Sequence, residues 1–338
     1  MADIKMLNRG NDPLTFFRNM ESLFPSLWVN YRKMTSASAR TALGDWPAWC
    51  YAPMAAAYAL VGRAFGVSGP LDAKQVSLVP IVATIAAWRA DKYVYQFDPT
   101  LFEALVEQYL DVDAALPSEV LLNLPAHGIY IDTLDLIPNT LGVFVFLEYD
   151  VNNGDKELRF FLLAENKQTG FALPAIHLGG SLLEGLKETQ RQADIGAIAD
   201  LDVTEVIGVD IVSLVKRLLQ LVLYVCAENA DVISATKPIK KKEFGEKVAL
   251  SPCIWHAGTV VGEVLRAYHA KEQKGHASDS HASPKPHIDK AQWHTYITGP
   301  KDDESQQQRI LRWVSPILVG GDADSHYKGR GADSDKRN

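Results

Sequence analysis

HGIYIDTLDLIPNTLGVFVFLEYDVNNGDKELRFFLLA, residues 127–164, decides how this chain is read. Runs at 129–134, 142–150 and 158–164 are dense in Val, Ile, Leu and aromatic residues, types that suit a pleated, half-buried surface. They are parted by DLIPN and NNGD, and the Asn153-Gly154 step tolerates the positive φ that a tight hairpin needs. The pattern predicts an antiparallel meander. An apolar run at 120–124 adds a strand before it, and 171–178 extends it on the other side. Gly179-Gly180 then hands the chain to a helix starting at Ser181.

Outward from the meander the period changes to that of helices. Asp12-Pro13 offers a cap and a first-turn proline, and Leu14, Phe17, Met20, Phe24, Leu27 and Trp28 recur at helical spacing, with Pro25 as a break. MAAAYALVGRAFG predicts a helix stopped by Gly66, another spans 80–89, and Asp98-Pro99 opens a fourth. Beyond the meander, long helices are predicted over 204–229 and from Ser251-Pro252 through Tyr268. KPIKKKEFGEK reads as a basic linker, 271–286 as a mobile connector, and the tail after Gly320 as disordered. The reading is an α+β fold, a central antiparallel sheet flanked by N-terminal and C-terminal helices. Its blocks are 1–116 (helical), 117–232 (meander and long helix), 233–250 (basic linker), 251–320 (helix and C-terminal β-ribbon) and 321–338 (tail).

The chain has 338 residues, enough for two lobes or one large domain, and 47% of them are hydrophobic, enough for a substantial core. A net charge of −7 argues against a protein that coats DNA through bulk electrostatics, so no DNA partner is expected. Cys50, Cys226 and Cys253 form no C-x-x-C pair, which fits a reducing, cytoplasmic setting. Lys5, Arg9, Asn11 and Asp12 punctuate the start, so no signal peptide is expected. Residues 211–226 are apolar but contain Lys216, Arg217 and Gln220 and fall short of a bilayer span, so no membrane partner is expected.

Ready-made chemistry is scarce. Neither a phosphate-cradling glycine loop, a nucleophile elbow nor an H-E-x-x-H helix occurs, so no catalytic residues and no cofactor are assigned. Asp200, Asp202, Glu205 and Asp210 read as a solvated loop and a helix N-terminal turn. His276, His281, His287 and His294 bunch together, but two of them lie in the predicted connector, and no metal site is assigned.

Two aromatic segments remain as recognition candidates. In DWPAWCYAP, residues 45–53, Trp46 and Trp49 with Tyr51 and Tyr58 form either a hydrophobic clamp at a helix entry or a ledge for a partner peptide. KPHIDKAQWHTYITGP, residues 285–300, and RILRWVSPILVG, residues 309–320, form two β-like runs carrying Trp293, His294, Tyr296, Arg309, Arg312 and Trp313. Paired across the intervening polar loop, they predict a ribbon with a face holding imidazole, indole and guanidinium together, suited to gripping a peptide or RNA. His294 itself reads as either a hydrogen-bonding core residue or a recognition or acid–base residue. Lys240, Lys241 and Lys242 add a local basic cluster, either simply solvated or in contact with a ribosome or mRNA.

These blocks carry a resemblance. DWPAWCYAP, AAWR (86–89), YQFD (95–98), LNLPAHGIYID (122–132), LLQLVLYVCAENADV (218–232), WHAGTVVGEVLRAY (255–268) and residues 285–319 follow the order seen in the second type V-A anti-CRISPR family of plasmids, phages and other mobile elements. The resemblance implies a non-enzymatic inhibitor that recognises the nascent N-terminal peptide of a type V-A CRISPR effector and lowers its expression through translation-coupled loss of mRNA. Two departures matter. Relatives often carry two basic residues and a histidine before the Trp-His pair where this chain has Asp289, Lys290, Ala291 and Gln292. LPAHGIYI likewise lacks a Trp and a Cys of its counterparts. The alternatives are an RNA-cleaving enzyme, with His294 and His287 as acid and base and Arg309 or Arg312 on the phosphate, and a maintenance factor with another protein partner.

Overall fold

The computed structural model describes residues 12–35, 46–113, 115–196, 210–237, 239–243, 246–275, 287–289, 292–298, 308–314 and 317–319. Helices α1 (Asp12–Leu23) and α2 (Leu27–Thr35) break at the Pro25 turn, as the sequence predicts. Helix α3 (Met54–Phe65) ends at Gly66, whose φ of 65° is costly for any residue with a Cβ. Then come α4 (Ala73–Val76), α5 (Val79–Arg89), strand β1 (Tyr93–Phe97) and α6 (Pro99–Val106). The Asp98 carboxylate accepts the Thr100 and Leu101 N–H groups at the start of α6, a side-chain N-cap.

The meander is present: β2 (Gly128–Asp132), β3 (Thr140–Tyr149) and β4 (Lys156–Ala164) are antiparallel, with Val145 opposite Phe160 and Leu147 opposite Leu158. Two short strands, β5 (Gly170–Ala172) and β6 (Ile176–His177), both pair with β4. Gly142 is required where it stands, since a Cβ there would collide with the Tyr130 ring and the Ile131 carbonyl.

Several expectations are corrected. Residues 118–121 form a one-turn helix, α7 (Ser118–Leu121), rather than the predicted strand at 120–124, because Pro117 starts a turn that closes on itself. After α8 (Leu182–Gly196), α9 (Ile211–Cys226) and β7 (Val232–Ser234), the basic linker is a hairpin of β8 (Lys240–Glu243) and β9 (Glu246–Ala249). The helix expected from Ser251-Pro252 is preceded by β10 (Cys253–Ala257), whose CIWHA run is too short to show a period. Gly258 at φ 80° then turns the chain into α10 (Thr259–Gly275). That helix covers 271–275 of the predicted connector, and 276–286 and the tail lie outside the described residues.

The large sheet runs β5-β4-β3-β2-β1-β10-β7, with β6 also on β4. It is mixed, since β1 lies parallel to both β2 and β10. Strands from blocks 1–116 and 251–320 therefore pair at the centre of the same sheet as the meander. Each face has its own core. One packs Val145, Leu158 and Phe160 beneath α6 and α9, where Leu214, Leu218, Leu219 and Val222 are fully buried. Burying each such side chain contributes about 1.5–3 kcal/mol. The other face sets Phe144 and Phe161 against Phe16 of α1, Leu60 of α3 and Trp88 of α5.

Candidate functional site

The C-terminal ribbon forms in register. Strand β12 (Gln292–Thr298) pairs antiparallel with β13 (Gln308–Val314), and β11 (His287–Asp289) with β14 (Ile317–Val319). Trp293 sits opposite Trp313, His294 opposite Arg312, Tyr296 opposite Ile310 and Ile297 opposite Arg309. Successive rungs alternate between the faces of a pleated ribbon, so the two Trp positions share one face with Arg309 while His294, Tyr296 and Arg312 share the other. The His294 and Arg312 positions thus fall on a common face, and the Trp293 and Trp313 positions lie with Arg309 on the other. β13 runs beside α7.

The DWPAWCYAP segment divides between clamp and surface. Trp46 is 4% exposed and offers no ledge. Trp49 is half-buried with its ring edge against Tyr149. Tyr51 stacks on Tyr31 at 5.0 Å, and Tyr31 Oη donates to the Tyr51 carbonyl. The Tyr58 hydroxyl accepts the Leu71 N–H.

Salt bridges occupy two of the three lysines on β8. Lys240 pairs with Asp91, and Lys241 with Glu243 at 2.7 Å, whose other oxygen meets Arg89 at 3.4 Å. Lys242 is exposed. Asp210, from the predicted acidic cluster, caps α9 through the Ser213 N–H; Asp200, Asp202 and Glu205 lie outside the described residues.

A further arrangement has no counterpart among the sequence candidates. On the α1/α3/α5 side of the meander, Glu148 of β3 and Glu157 of β4 stand directly opposite one another, each only 2% exposed. Like charges at such a cross-strand pair repel. Two features resolve the conflict. The Arg159 guanidinium lies 2.5 Å from Glu157 Oε2. Burial raises the Glu148 pKa to about 8, against the opposing pull of Arg159 and of the Met54 N–H that Glu148 accepts at 2.7 Å. A neutral Glu148 thereby caps the start of α3, tying the helix to the sheet.

The charged row continues outward. His177 on β6 lies with Nε2 3.5 Å from Glu157 and Nδ1 3.4 Å from Asp155, neither in hydrogen-bonding geometry. Its ring lines an open cleft of about 480 Å³ between the β3–β4 loop, α7 and the start of α8. Ser181 and Glu184 close that start as a capping box, the Ser181 N–H donating to Glu184 Oε2 and the Glu184 N–H to Ser181 Oγ. The signal available in sequence was the interruption of apolar strands by Glu148, Glu157 and Arg159. Among the described residues no three His, Cys, Asp or Glu side chains converge as metal ligands, and no helix is long and apolar enough to cross a membrane.

Residues 95–321 match the model of the AcrVA2-like family, described as the anti-CRISPR type V subtype A2 family. Among solved structures, the chain is similar to one titled "Crystal structure of AcrVA2", with a TM-score of 0.59 and 18% identity over 91% of this chain and 99% of that chain. At that identity the likeness is one of fold. No curated protein matches the chain.

Proposed function

The chain belongs to the anti-CRISPR type V subtype A2 family, and from that membership we propose that it inhibits a type V-A CRISPR effector by reading the effector's nascent N-terminal peptide and lowering its expression through loss of the message during translation. The observation that carries this reading is the family match itself, which begins within β1 and extends past β14. The C-terminal ribbon falls inside the matched region, whereas Trp46 and Trp49 fall outside it. That favours Trp293, His294, Tyr296, Arg309, Arg312 and Trp313 as recognition residues over the Trp46–Trp49 segment.

Action is by binding in the host cytoplasm. Main-chain hydrogen bonds from a strand edge would hold an extended peptide while side-chain pockets select its sequence. Strand β7, with Ile233 exposed, ends the large sheet and offers such an edge. Ribosome or mRNA contact through the β8 lysines narrows to Lys242, its neighbours being paired. Pull-down from a translating extract, with and without the effector message, tests the proposal. Capture that survives RNase yet needs the nascent chain supports it, and capture of any RNA sinks it.

A second reading rests on the His294–Arg312 rung, a pairing that acid–base cleavage of RNA would also use. Incubation with single-stranded and structured RNA separates the two. Turnover lost in His294→Ala would establish the enzyme.

A further inference from the structure

We infer that Lys242 and Lys247, directly opposite one another on the β8–β9 hairpin, form a clamp for the phosphate backbone of RNA. That this RNA belongs to a translating complex rests on the function proposed above; the phosphate contact rests on the hairpin alone.

Lys240 pairs with Asp91, and Glu243 takes up both Lys241 and Arg89. These contacts tie the hairpin to the corner between α5 and β1, where the Ala249 N–H donates to the Ala90 carbonyl at 3.0 Å and Lys92 Nζ to the Ala249 carbonyl at 2.6 Å. Lys242 and Lys247 are left over. Both are exposed, and neither has an ion-pair or hydrogen-bond partner among the described residues. Like charges directly opposite on paired strands destabilise the pairing. Rungs alternate between the two faces, so this pair shares a face with Lys240 while Lys241 and Glu243 occupy the other. An anion set across the Lys242–Lys247 rung would replace one repulsion with two attractions.

The chemistry selects among anions. Two ammonium groups on flexible stems act as point charges and lack the planar fork that recognises a carboxylate through both of its oxygens. They suit phosphates strung along a strand, where contacts position the ligand without reading its sequence. On a chain of net charge −7, two such contacts are too few to retain free RNA at physiological salt. They count once another contact has brought the strand close, because the second binding event is then intramolecular. Lysines on unpaired strand edges also deter unwanted strand pairing. That role involves no salt-dependent partner, which separates the two readings.

The first arm of the test uses the full chain and a uridine decamer at low salt, followed through backbone amide resonances. Saturable shifts are expected on β8 and β9, with log affinity falling against log salt at a slope of about −1.4 for two single-strand phosphates. Lys242→Gln combined with Lys247→Gln is expected to abolish those shifts while melting no earlier than the parent, and Lys242→Arg with Lys247→Arg to retain them. Lys74→Gln with Lys187→Gln makes the same change in net charge at two other exposed positions and is expected to leave them intact. Three outcomes overturn the inference: shifts confined to other parts of the protein, undiminished binding by the Lys242 and Lys247 glutamine variant, or an equal loss in the Lys74 and Lys187 variant. The second arm measures capture of stalled ribosomes carrying the effector's nascent peptide at rising salt. The Lys242 and Lys247 glutamine variant is expected to show a slope shallower by about 1.4, with unchanged affinity for the free peptide. Weakened binding of the free peptide would assign the lysines to the peptide and overturn the RNA contact. A chain that responds to the decamer yet captures no nascent-chain complex would sink the proposed function and leave the clamp. Capture without any decamer response would sink the clamp and leave that function.

Discussion

The two faces of the β3–β4 pair share a backbone and differ in how they are held. Toward α6 and α9 every inward position is apolar: Val143, Val145 and Leu147 on one strand, Leu158, Phe160 and Leu162 on the other. Toward α1, α3 and α5 the aromatic row of Phe144, Phe146 and Phe161 gives way to Glu148, Glu157 and Arg159 at the end nearest the cleft. The first face depends on volume and dryness, and tolerates any apolar side chain of suitable shape. The second depends on partners. A buried charge there is harmless only while its counter-charge or proton is present.

That contrast is broken most severely on the apolar side. Leu218 is fully buried on α9 within the apolar cluster of that face. Leu218→Asp should abolish soluble folded protein, read as loss of the cooperative thermal transition, since an isolated ionised carboxylate cannot be accommodated there. The ionic side should fail differently. Arg159→Leu leaves Glu157 uncompensated and is expected to cost about 3–5 kcal/mol in urea denaturation, whereas Glu157→Leu with Arg159→Leu should recover most of that loss. If the double variant is no better than the single, the pair is not the unit that holds this face.

A subtler difference appears on titration. Glu148 binds a proton in the folded state up to about pH 8 but in the unfolded chain only up to about 4.5, so its contribution to stability is lost as pH rises across that window. Lys92, on the same side of the sheet, behaves oppositely. Burial lowers its pKa to about 8, while Nζ donates to the Arg89 and Ala249 carbonyls, bonds a neutral amine retains. The unfolded chain binds the extra proton between about 8 and 10.5, so stability rises with pH there. Together the two groups predict a local minimum near pH 8. Glu148→Gln should flatten the lower limb and Lys92→Met the upper, each as a difference from the parent protein in denaturation midpoint against pH. Parallel curves for parent and variant would contradict the assignment.

Legibility in the sequence followed the length of each signal. The meander was readable because its runs are long and Asn153-Gly154 marks a turn, and the cap at Asp98 and the stop at Gly66 were readable because each acts within a few residues. Strands β1 and β10 were not. YVYQF lies between two helices and CIWHA directly before one, each only five residues long, and what makes them strands is the pairing of Tyr95 with both Trp255 and Ile131 across long sequence separations. The cleft was hidden for the same reason, because Asp155, His177, Glu184 and Glu188 come from a loop, a two-residue strand and a helix and share no spacing. The ribbon lay between these cases: its pairing could be anticipated from two β-like runs, but the separation of His294 and Arg312 from Trp293 and Trp313 depends on register.

The smallest expected change in stability lies at that ribbon, and there the comparison turns from folding to recognition. Among the described residues its strands pair with each other and not with those of the large sheet. Polar substitutions at the His294–Arg312 rung of this separate ribbon are expected to alter stability by no more than about 0.5 kcal/mol. Truncating a central Arg or aromatic anchor of a binding surface, by contrast, commonly costs about 2 kcal/mol or more in affinity. His294→Ala and Arg312→Ala are accordingly expected to leave the thermal midpoint nearly unchanged while abolishing inhibition of effector expression. Trp293→Ala and Trp313→Ala, on the other face of the ribbon, provide the contrast: a loss of stability without selective loss of inhibition would mark that face as packing. If the His294 and Arg312 variants both melt early, or both remain fully inhibitory, the ribbon is structural and recognition must be sought at the β7 edge or around Trp49.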